Sequence, residues 1–325
     1  MVEIQNVLVL LPVKDAHKKL LAHAAPSAVF TYSARREITQ EMAHSADVII
    51  GNPPIKLIRG STRLKWIQLE SAGADQYIKA GNLPAGTLLT NATGAYGLAI
   101  SEYMIGVLLE LYKKLHLYRD NQRQNLWKDE GGVRSIHGST VLIVGLGDIG
   151  GEFAKRIKAL GGYTIGVRRT NSAKPEYMDE LYLIDELDTL LLRADVVALS
   201  LPGTEKTYRL LSAERLAKMK PGAVLINVGR GTVLDTDALC DALESGHIAG
   251  AALDVTDPEP LPADHRLWQI PNAIITPHIS GGWHLPETFN RIVGISIENL
   301  RRFTAGEKLN NIVDFSTGYR AQSEK

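Results

Sequence analysis

The sequence contains little that points to a membrane, a nucleic acid or a disulfide-bonded protein. The single cysteine, Cys240, has no possible intrachain disulfide partner. No uninterrupted apolar run approaches the roughly 18 residues that suggest a membrane span. Lysine plus arginine and aspartate plus glutamate each number 36, so the formal net charge is zero. Without a long-range field that would attract phosphate backbones or anionic lipid, a small molecule is the expected partner, with no nucleic acid and no membrane.

Two further absences narrow the expected cellular location and the expected kinds of site. The N-terminus lacks the basic and then apolar layout of a signal peptide, because its apolar run at residues 7–11 is only as long as a strand. A cytoplasmic protein is therefore expected. With one cysteine and no HExxH pair of histidines, the sequence predicts no metal site.

The apolar residues that are present divide the chain into two regions. The length of 325 residues predicts about two domains. Before residue 98, short apolar runs separated by polar residues, glycine and proline predict strands of a small α/β unit at residues 7–11, 48–50, 67–69 and 87–90. Helical spacing predicts one long amphipathic helix over residues 98–118, and a final helix over residues 287–303 that returns to the first domain.

From Val141 onwards, apolar strands alternate with helical segments, which predicts a parallel sheet. Six strands suit a dinucleotide-binding core. The predicted strands are residues 141–144, 163–167, 195–199, 223–227, 250–255 and 273–276.

A glycine-rich turn follows the first of these strands. Gly145, Gly147 and Gly150 have the spacing of a dinucleotide-binding fingerprint, between a strand and a helix. Gly145 permits the tight turn, Gly147 lets the backbone approach a pyrophosphate, and Gly150 lets helix and strand pack closely. The helix N-terminus adds free N–H groups and a positive dipole, so we expect the turn to bind a dinucleotide.

The next strand ends in Arg168, Arg169 and Thr170, where NAD-binding proteins carry an acidic residue for the ribose hydroxyls. Two guanidinium groups and a hydroxyl can bind a 2′-phosphate, and no carboxylate is present to repel it. The sequence therefore predicts NADP(H) as the preferred cofactor, with NAD(H) possible. The alternative is that the two arginines form an ordinary surface pair.

Three later segments place polar residues just beyond apolar strands, where open parallel sheets bind ligands. Arg230 can hold a carboxylate with two parallel hydrogen bonds. His278 can exchange a proton near neutral pH, and Glu259 can hold its imidazole in a productive state. Together these side chains predict acid–base chemistry on an anionic substrate.

Five ordered motifs resemble those of the D-isomer-specific 2-hydroxyacid dehydrogenase family, which includes glyoxylate/hydroxypyruvate reductases and phosphoglycerate dehydrogenases. They are residues 71–75, 145–150, 227–231, 259–262 and 277–278. The resemblance implies an α/β fold with a Rossmann-type doubly wound parallel sheet in a dinucleotide-binding domain, residues 98–286. Residues 1–97 plus 287–325 would form a smaller, flavodoxin-like α/β substrate domain.

The resemblance also implies reversible reduction of a small 2-keto acid to the D-2-hydroxy acid by hydride transfer from NADPH. Arg230 would bind the substrate carboxylate and polarise the carbonyl group. His278 would protonate the carbonyl oxygen, and Glu259 would pair with the imidazolium. The other substrate-binding residues would be Ala72, Gly73 and Ala74, the last two through their backbone N–H groups.

Further cofactor contacts follow from the same resemblance. Asp254 would receive the nicotinamide amide, and Gly281 would lie beside that ring. The other implied contacts are Asp148, Ile149, Leu201, Pro202, Thr207, Val228, Gly229, Arg230 and His278.

Some alternatives stay open. Residues 98–118 and 121–127 resemble the family's dimer contact region, so a homodimer is expected. Trp283 and His284 could line the substrate pocket or shape the domain junction. A second class of function is an NAD(P)H-sensing, corepressor-like binding protein without turnover, because some relatives of the family act in this way. A formate dehydrogenase is disfavoured, because Pro277 stands where those enzymes carry a glutamine.

Overall fold

The structure, a computed structural model, describes residues 4–318, and the outer ends of the predicted domain ranges lie outside these residues. The chain forms two compact units. Among the described residues, unit 1 combines residues 4–96 with residues 283–318, and unit 2 is Gly97–Gly282. Over residues 4–318, every helix is too short or too polar to cross a membrane.

Strands and helices alternate through most of the chain. The strands are β1 Asn6–Val9, β2 Val29–Tyr32, β3 Val48–Ile50, β4 Trp66–Gln68, β5 Leu88–Thr90, β6 Thr140–Val144, β7 Tyr163–Arg168, β8 Glu180–Leu183, β9 Val196–Leu199, β10 Ala223–Asn227, β11 Ile248–Leu253 and β12 Ala273–Ile275. The helices are α1 Asp15–Ala24, α2 Gln40–Ser45, α3 Ile55–Ile58, α4 Gly97–Tyr112, α5 Leu115–Arg123, α6 Asp148–Ala159, α7 Leu187–Leu191, α8 Ala213–Lys218, α9 Thr236–Glu244 and α10 Pro286–Ala305.

Unit 1 contains a five-stranded parallel sheet in the order β2-β1-β3-β4-β5, which is the flavodoxin-like order. Helix α10 packs on this sheet, because Asn299 Nδ2 donates a hydrogen bond to Gln68 Oε1 at 2.7 Å. The ring of Phe303 also lies 5.2 Å from that of Trp66. The last helix within residues 4–318 therefore belongs to the unit that the first strands form.

Unit 2 contains a seven-stranded parallel sheet in the order β12-β11-β10-β9-β6-β7-β8. The chain leaves β6 towards one edge and then crosses back to β9 on the other side, so the strand order reverses between β6 and β9. Doubly wound sheets bind ligands at such a switch point, at the carboxyl ends of the strands. The predicted α/β fold, with a Rossmann-type sheet and a flavodoxin-like sheet, is confirmed.

The prediction of a single helix over residues 98–118 is wrong. Helix α4 ends at Tyr112 and α5 begins at Leu115. Between them Lys114 has a φ of 57°, in the left-handed region, and its Nζ donates to the backbone oxygen of Glu130. The apolar spacing continues across this break, so periodicity alone could not reveal it.

Two strands within residues 4–318 were not predicted, and both lie at sheet edges. Strand β2 alternates between exposed and half-buried positions, and β8 is only partly buried along its length. Neither has the continuous apolar run that marks the central strands. The count of six strands for the second sheet is therefore wrong, because β8 makes a seventh.

Candidate active site

The sequence-predicted cofactor residues lie around the carboxyl edge of the sheet in unit 2. Ser200 Oγ donates to the backbone oxygen of Gly145 at 2.7 Å, which joins the ends of β6 and β9 at the switch point. The residues at this edge are Gly145, Gly147, Asp148, Ile149 and Gly150 after β6; Arg168, Arg169 and Thr170 at the end of β7; Leu201, Pro202 and Thr207 after β9; Val228, Gly229 and Arg230 after β10; Asp254 after β11; and His278 and Gly281 after β12.

The glycine turn after β6 has the geometry that its spacing predicted. Gly145 has a φ of 101°, a conformation that favours glycine. A Cβ atom on Gly150 would lie 2.2 Å from the backbone oxygen of Gly145, so only glycine lets α6 begin this close to the strand. A Cβ atom on Gly147 would meet nothing within 4 Å. The turn is therefore closed towards the sheet and open at the position where a ligand would approach.

The loop after β9 is shaped by its own hydroxyl groups. Thr207 Oγ1 donates to the backbone oxygen of Pro202 at 2.7 Å and accepts the N–H of Thr204 at 2.9 Å. Val228, at the end of the neighbouring strand, donates its N–H to the backbone oxygen of Leu199 at 3.1 Å. The hydroxyl of Thr207 therefore fixes the loop that carries Leu201 and Pro202.

Arg168 ends β7 with its guanidinium only partly satisfied. One terminal nitrogen donates to Ser172 Oγ, whereas Nε is buried and has no hydrogen-bond partner among residues 4–318. A buried donor without an acceptor is costly, so an anionic ligand oxygen would satisfy it. Arg169 and Thr170 follow on the exposed side. This arrangement fits a cofactor that carries a phosphate near the end of β7.

Close packing holds Arg230 at the end of β10. The fully buried Asn227 accepts the N–H of Gly229 at 3.1 Å and donates to the backbone oxygen of Arg230 at 3.0 Å. A Cβ atom on Gly231 would lie 1.9 Å from the backbone oxygen of Thr256. The glycine and asparagine of the motif therefore fix the backbone from which the half-buried arginine projects. Asn227 belongs to the motif at residues 227–231, where no role was predicted for it, although its place at the end of a buried strand was a usable signal.

His278 and Glu259 form a hydrogen-bonded pair at the same edge. Nδ1 of His278 lies 2.7 Å from Oε1 of Glu259, and the two side chains are 46% and 43% exposed. His278 has a φ of 54°, which is unusual for a residue other than glycine and often marks a functional position. Because Nδ1 faces the glutamate, Nε2 is the ring nitrogen that is left for a substrate.

The carboxylate of Asp254 is buried and accepts four hydrogen bonds. Oδ1 accepts Thr276 Oγ1 at 2.6 Å and the N–H of Ile279 at 2.9 Å. Oδ2 accepts the N–H of Ser280 at 3.0 Å and also its hydroxyl. These bonds use the acceptor sites of both oxygens. Asp254 thus holds the segment that carries His278, a role that the sequence did not predict; a contact with a nicotinamide amide would have to replace one of these bonds.

Unit 1 contains the predicted substrate loop. Asn52 accepts the N–H of Glu70 at 3.1 Å and donates to Ser71 Oγ at 3.1 Å, and Asn91 donates to the backbone oxygen of Ala72 at 2.7 Å. The N–H groups of Gly73 and Ala74 have no hydrogen-bond partner within residues 4–318. Side chains therefore fix the loop while two backbone donors stay available for an anion.

Among residues 4–318, the cysteine thiol and the possible metal ligands give no competing site. Cys240 is buried, and this burial raises the pKa of its thiol, which disfavours a nucleophilic thiolate. Within the described residues, no three histidine, cysteine, aspartate or glutamate side chains are grouped so that they could hold a metal ion.

Comparison with known proteins is consistent with this geometry. A family model described as the NAD binding domain of D-isomer specific 2-hydroxyacid dehydrogenases matches residues 105–280. A glyoxylate/hydroxypyruvate reductase B from Pectobacterium carotovorum is 34% identical over 266 residues, which are 79% of this chain and 81% of that protein.

Two solved structures are similar over almost the whole chain. One is a D-isomer specific 2-hydroxyacid dehydrogenase family protein from Aeromonas salmonicida, with a TM-score of 0.84, 33% identity and coverage of 96% of this chain and 100% of that one. The other is a D-isomer specific 2-hydroxyacid dehydrogenase from Xanthobacter autotrophicus in complex with NADPH and MES. It has a TM-score of 0.80, 28% identity and coverage of 98% and 100%.

Proposed function

Because the chain belongs to the D-isomer specific 2-hydroxyacid dehydrogenase family, we propose that it reduces a small 2-keto acid to the D-2-hydroxy acid with NADPH. The related glyoxylate/hydroxypyruvate reductase supports a 2-keto acid reductase that uses a nicotinamide cofactor. The observation that carries the proposal is the pair of His278 and Glu259, 2.7 Å apart at the strand edge that also bears Arg230.

In this proposal His278 is the general acid. Glu259 holds Nδ1, so the proton moves from Nε2 to the carbonyl oxygen of the substrate, and returns to Nε2 in the oxidation direction. The Arg230 guanidinium binds the substrate carboxylate and polarises the carbonyl group. The N–H groups of Gly73 and Ala74, which have no hydrogen-bond partner within residues 4–318, are proposed donors to a carboxylate of the substrate.

The glycine turn and the end of β7 are the proposed holders of the cofactor. The open side of Gly147 admits a pyrophosphate, and the unpartnered Nε of Arg168 suits the additional phosphate of NADPH. Thr170 and Arg169 stand next in the chain and add a hydroxyl and a second positive charge. The bound nicotinamide supplies a hydride. Thus we infer a preference for NADPH over NADH.

The test is steady-state kinetics at 340 nm with NADPH and NADH against a panel of 2-keto acids that includes glyoxylate, pyruvate and hydroxypyruvate. We expect turnover, with a higher kcat/KM for NADPH, and chiral analysis should give the D product. A clear preference for NADH would defeat the cofactor assignment. Tight NADPH binding without turnover across the panel would favour the sensor-like binding protein.

A further inference from the structure

Glu70 lies directly before the predicted substrate loop, at the carboxyl edge of the sheet in unit 1. Its backbone is fixed on both sides: the N–H donates to Asn52 Oδ1 at 3.1 Å, and the backbone oxygen accepts the hydroxyl of Tyr96. Asn52 follows β3 and Glu70 follows β4, so both stand where parallel sheets bind ligands. The position of Glu70 is therefore set by the same contacts that set the loop.

The carboxyl group of Glu70 differs from its backbone in having no partner. The side chain is half-buried, yet no hydrogen bond or ion pair reaches its carboxylate oxygens from residues 4–318. Burial raises the pKa of Glu70 to about 7, against the opposing effect of the Arg35 guanidinium. A half-buried carboxylate without a partner loses part of its hydration and gains no hydrogen bond from the fold.

Gln68, the last residue of β4, stands two residues before Glu70 and has a polar side chain with a structural role. Its Oε1 accepts Thr90 Oγ1 and Asn299 Nδ2, each at 2.7 Å, and its Nε2 donates to the backbone oxygen of Leu69 at 2.8 Å. Every polar atom of Gln68 is thus used inside the fold. Glu70, by contrast, keeps its acceptors available, as expected of a group that meets a ligand.

We propose that Glu70 selects the side chain of the 2-keto acid, by accepting a hydrogen bond from a hydroxyl or amino donor on that side chain and by excluding a second acid group. This inference rests on the proposed function, because it assumes that Gly73 and Ala74 hold the substrate carboxylate. The substrate side chain is joined to the same short skeleton, and Glu70 stands three residues before Gly73 in the chain. A second carboxylate on the substrate would meet a like charge in a poorly solvated place.

Two matched pairs of substrates separate charge from hydrogen bonding. The first pair is 2-oxoglutarate and 2-oxopentanoate, which have the same chain length and differ in a terminal carboxylate. The second is hydroxypyruvate and pyruvate, which differ in one hydroxyl donor. The variants are Glu70→Gln, which removes the charge and keeps an acceptor, and Glu70→Leu, which removes both. Glu41→Gln, an exposed carboxylate in the first turn of α2, is the control.

At pH 8, Glu70→Gln should raise kcat/KM for 2-oxoglutarate relative to 2-oxopentanoate by about tenfold or more, whereas Glu41→Gln leaves this ratio unchanged. Glu70→Leu should lower the ratio for hydroxypyruvate over pyruvate by about fivefold to tenfold, and Glu70→Gln should largely keep it. Unchanged ratios in both variants, with substrates still reduced, would overturn the role of Glu70. Absence of turnover with every substrate in the wild type would instead overturn the proposed function and this inference with it.

The wild-type protein gives a second test that does not depend on the variants folding. The ratio of kcat/KM for 2-oxoglutarate to kcat/KM for 2-oxopentanoate should fall as pH rises from 6 to 8.5, because Glu70 becomes charged. The groups that face it are the Arg35 guanidinium and the hydroxyls of Tyr77 and Tyr96, whose burial raises their pKa so that they stay neutral. Effects of His278 are common to both substrates and cancel in the ratio. A ratio that is independent of pH would contradict the proposal.

Discussion

Asp254 holds His278 from both sides. The backbone oxygen of Asp254 accepts the N–H of His278 at 2.8 Å, and its carboxylate accepts hydrogen bonds from Thr276 before the histidine and from Ile279 and Ser280 after it. One buried acid therefore fixes the short segment that carries the imidazole, including the left-handed backbone conformation of His278.

Replacing Asp254 by asparagine should disturb this segment, because an amide has one acceptor oxygen where the carboxylate has two. We expect kcat to fall about 10- to 100-fold through misplacement of His278. The free energy of unfolding should fall by about 1–3 kcal/mol. Kinetics and thermal unfolding check both effects, with the exposed Asp264→Asn as control. A normal pH–rate profile with normal kcat in Asp254→Asn would show that Asp254 does not position the histidine.

Replacing His278 by alanine removes the proposed general acid. Such catalysis contributes about 10²- to 10⁴-fold, so kcat should fall by that factor while NADPH still binds. Fluorescence titration measures NADPH binding, and stopped-flow absorbance measures the hydride step. His23→Ala, an exposed histidine in unit 1, should behave like the wild type. An unchanged kcat in the His278 variant would refute its role.

Replacing Arg168 by alanine tests the choice of cofactor. Hydrogen bonds to charged groups contribute about 1.5–3 kcal/mol, so kcat/KM with NADPH should fall about 10- to 100-fold. The value with NADH should change little, because NADH lacks the additional phosphate. Arg36→Ala, an exposed arginine in unit 1, is the matched control. Equal losses with both cofactors would remove Arg168 from the phosphate site.

Burial of Glu70 should make stability depend on pH in a defined direction. Its pKa is raised from 4.5 to about 7, chiefly by burial, so the folded protein holds this proton over a range where the unfolded chain has lost it. The contribution of Glu70 to stability is thus fully present below about pH 4.5 and is lost as pH rises through about 7. At roughly 1.4 kcal/mol per pKa unit, the loss is about 3 kcal/mol at most.

Comparing Glu70→Gln with the wild type isolates this effect, because glutamine does not titrate. The variant should gain stability relative to the wild type between pH 4.5 and 8, as measured by thermal unfolding at each pH. A stability difference between the two proteins that stays constant over this range would show that the pKa of the Glu70 carboxyl is not raised.

Trp127 suggests where a second copy would bind. It is fully exposed, and Leu115, Leu126 and Val133 nearby in the chain are each about half exposed. We propose that this surface of residues 115–133 forms the homodimer contact. Trp127→Asp should produce a monomer in sedimentation velocity, whereas Leu192→Asp, at an exposed leucine elsewhere in unit 2, should stay dimeric. A monomeric wild type would contradict the dimer, and a dimeric Trp127→Asp variant would contradict this surface.

The central strands and the glycine turn could be predicted because their signals are local. A buried parallel strand such as β10 is a continuous apolar run, and Gly145 and Gly150 are required by a positive φ and by a 2.2 Å approach. Edge strands β2 and β8 lack such runs because one side of each faces solvent. The bend at Lys114 left no trace in the apolar spacing.

Two features could not be predicted in the same way. One is the set of hydrogen bonds by which Asp254 fixes the segment of His278, and the other is the lack of a partner for the Glu70 carboxylate within the described residues. Asp254 and Ser280 are 26 residues apart, and nothing in either segment indicates that one carboxylate collects four donors. Likewise Glu70 reads as an ordinary polar residue at the end of a strand. Its burial, and the absence of a partner within the described residues, become visible only when the surrounding loops are in place.

The close contact at Gly231 limits which changes of sequence this protein can accept. Because a methyl group there would overlap the backbone oxygen of Thr256, the chain after β10 and the chain after β11 touch without any side chain between them. Insertions or larger residues on either stretch would push the anchor of Arg230 away from the stretch that leads to Glu259. Variation that alters substrate choice is therefore expected to accumulate in unit 1, while these two stretches of unit 2 stay nearly fixed in length and shape.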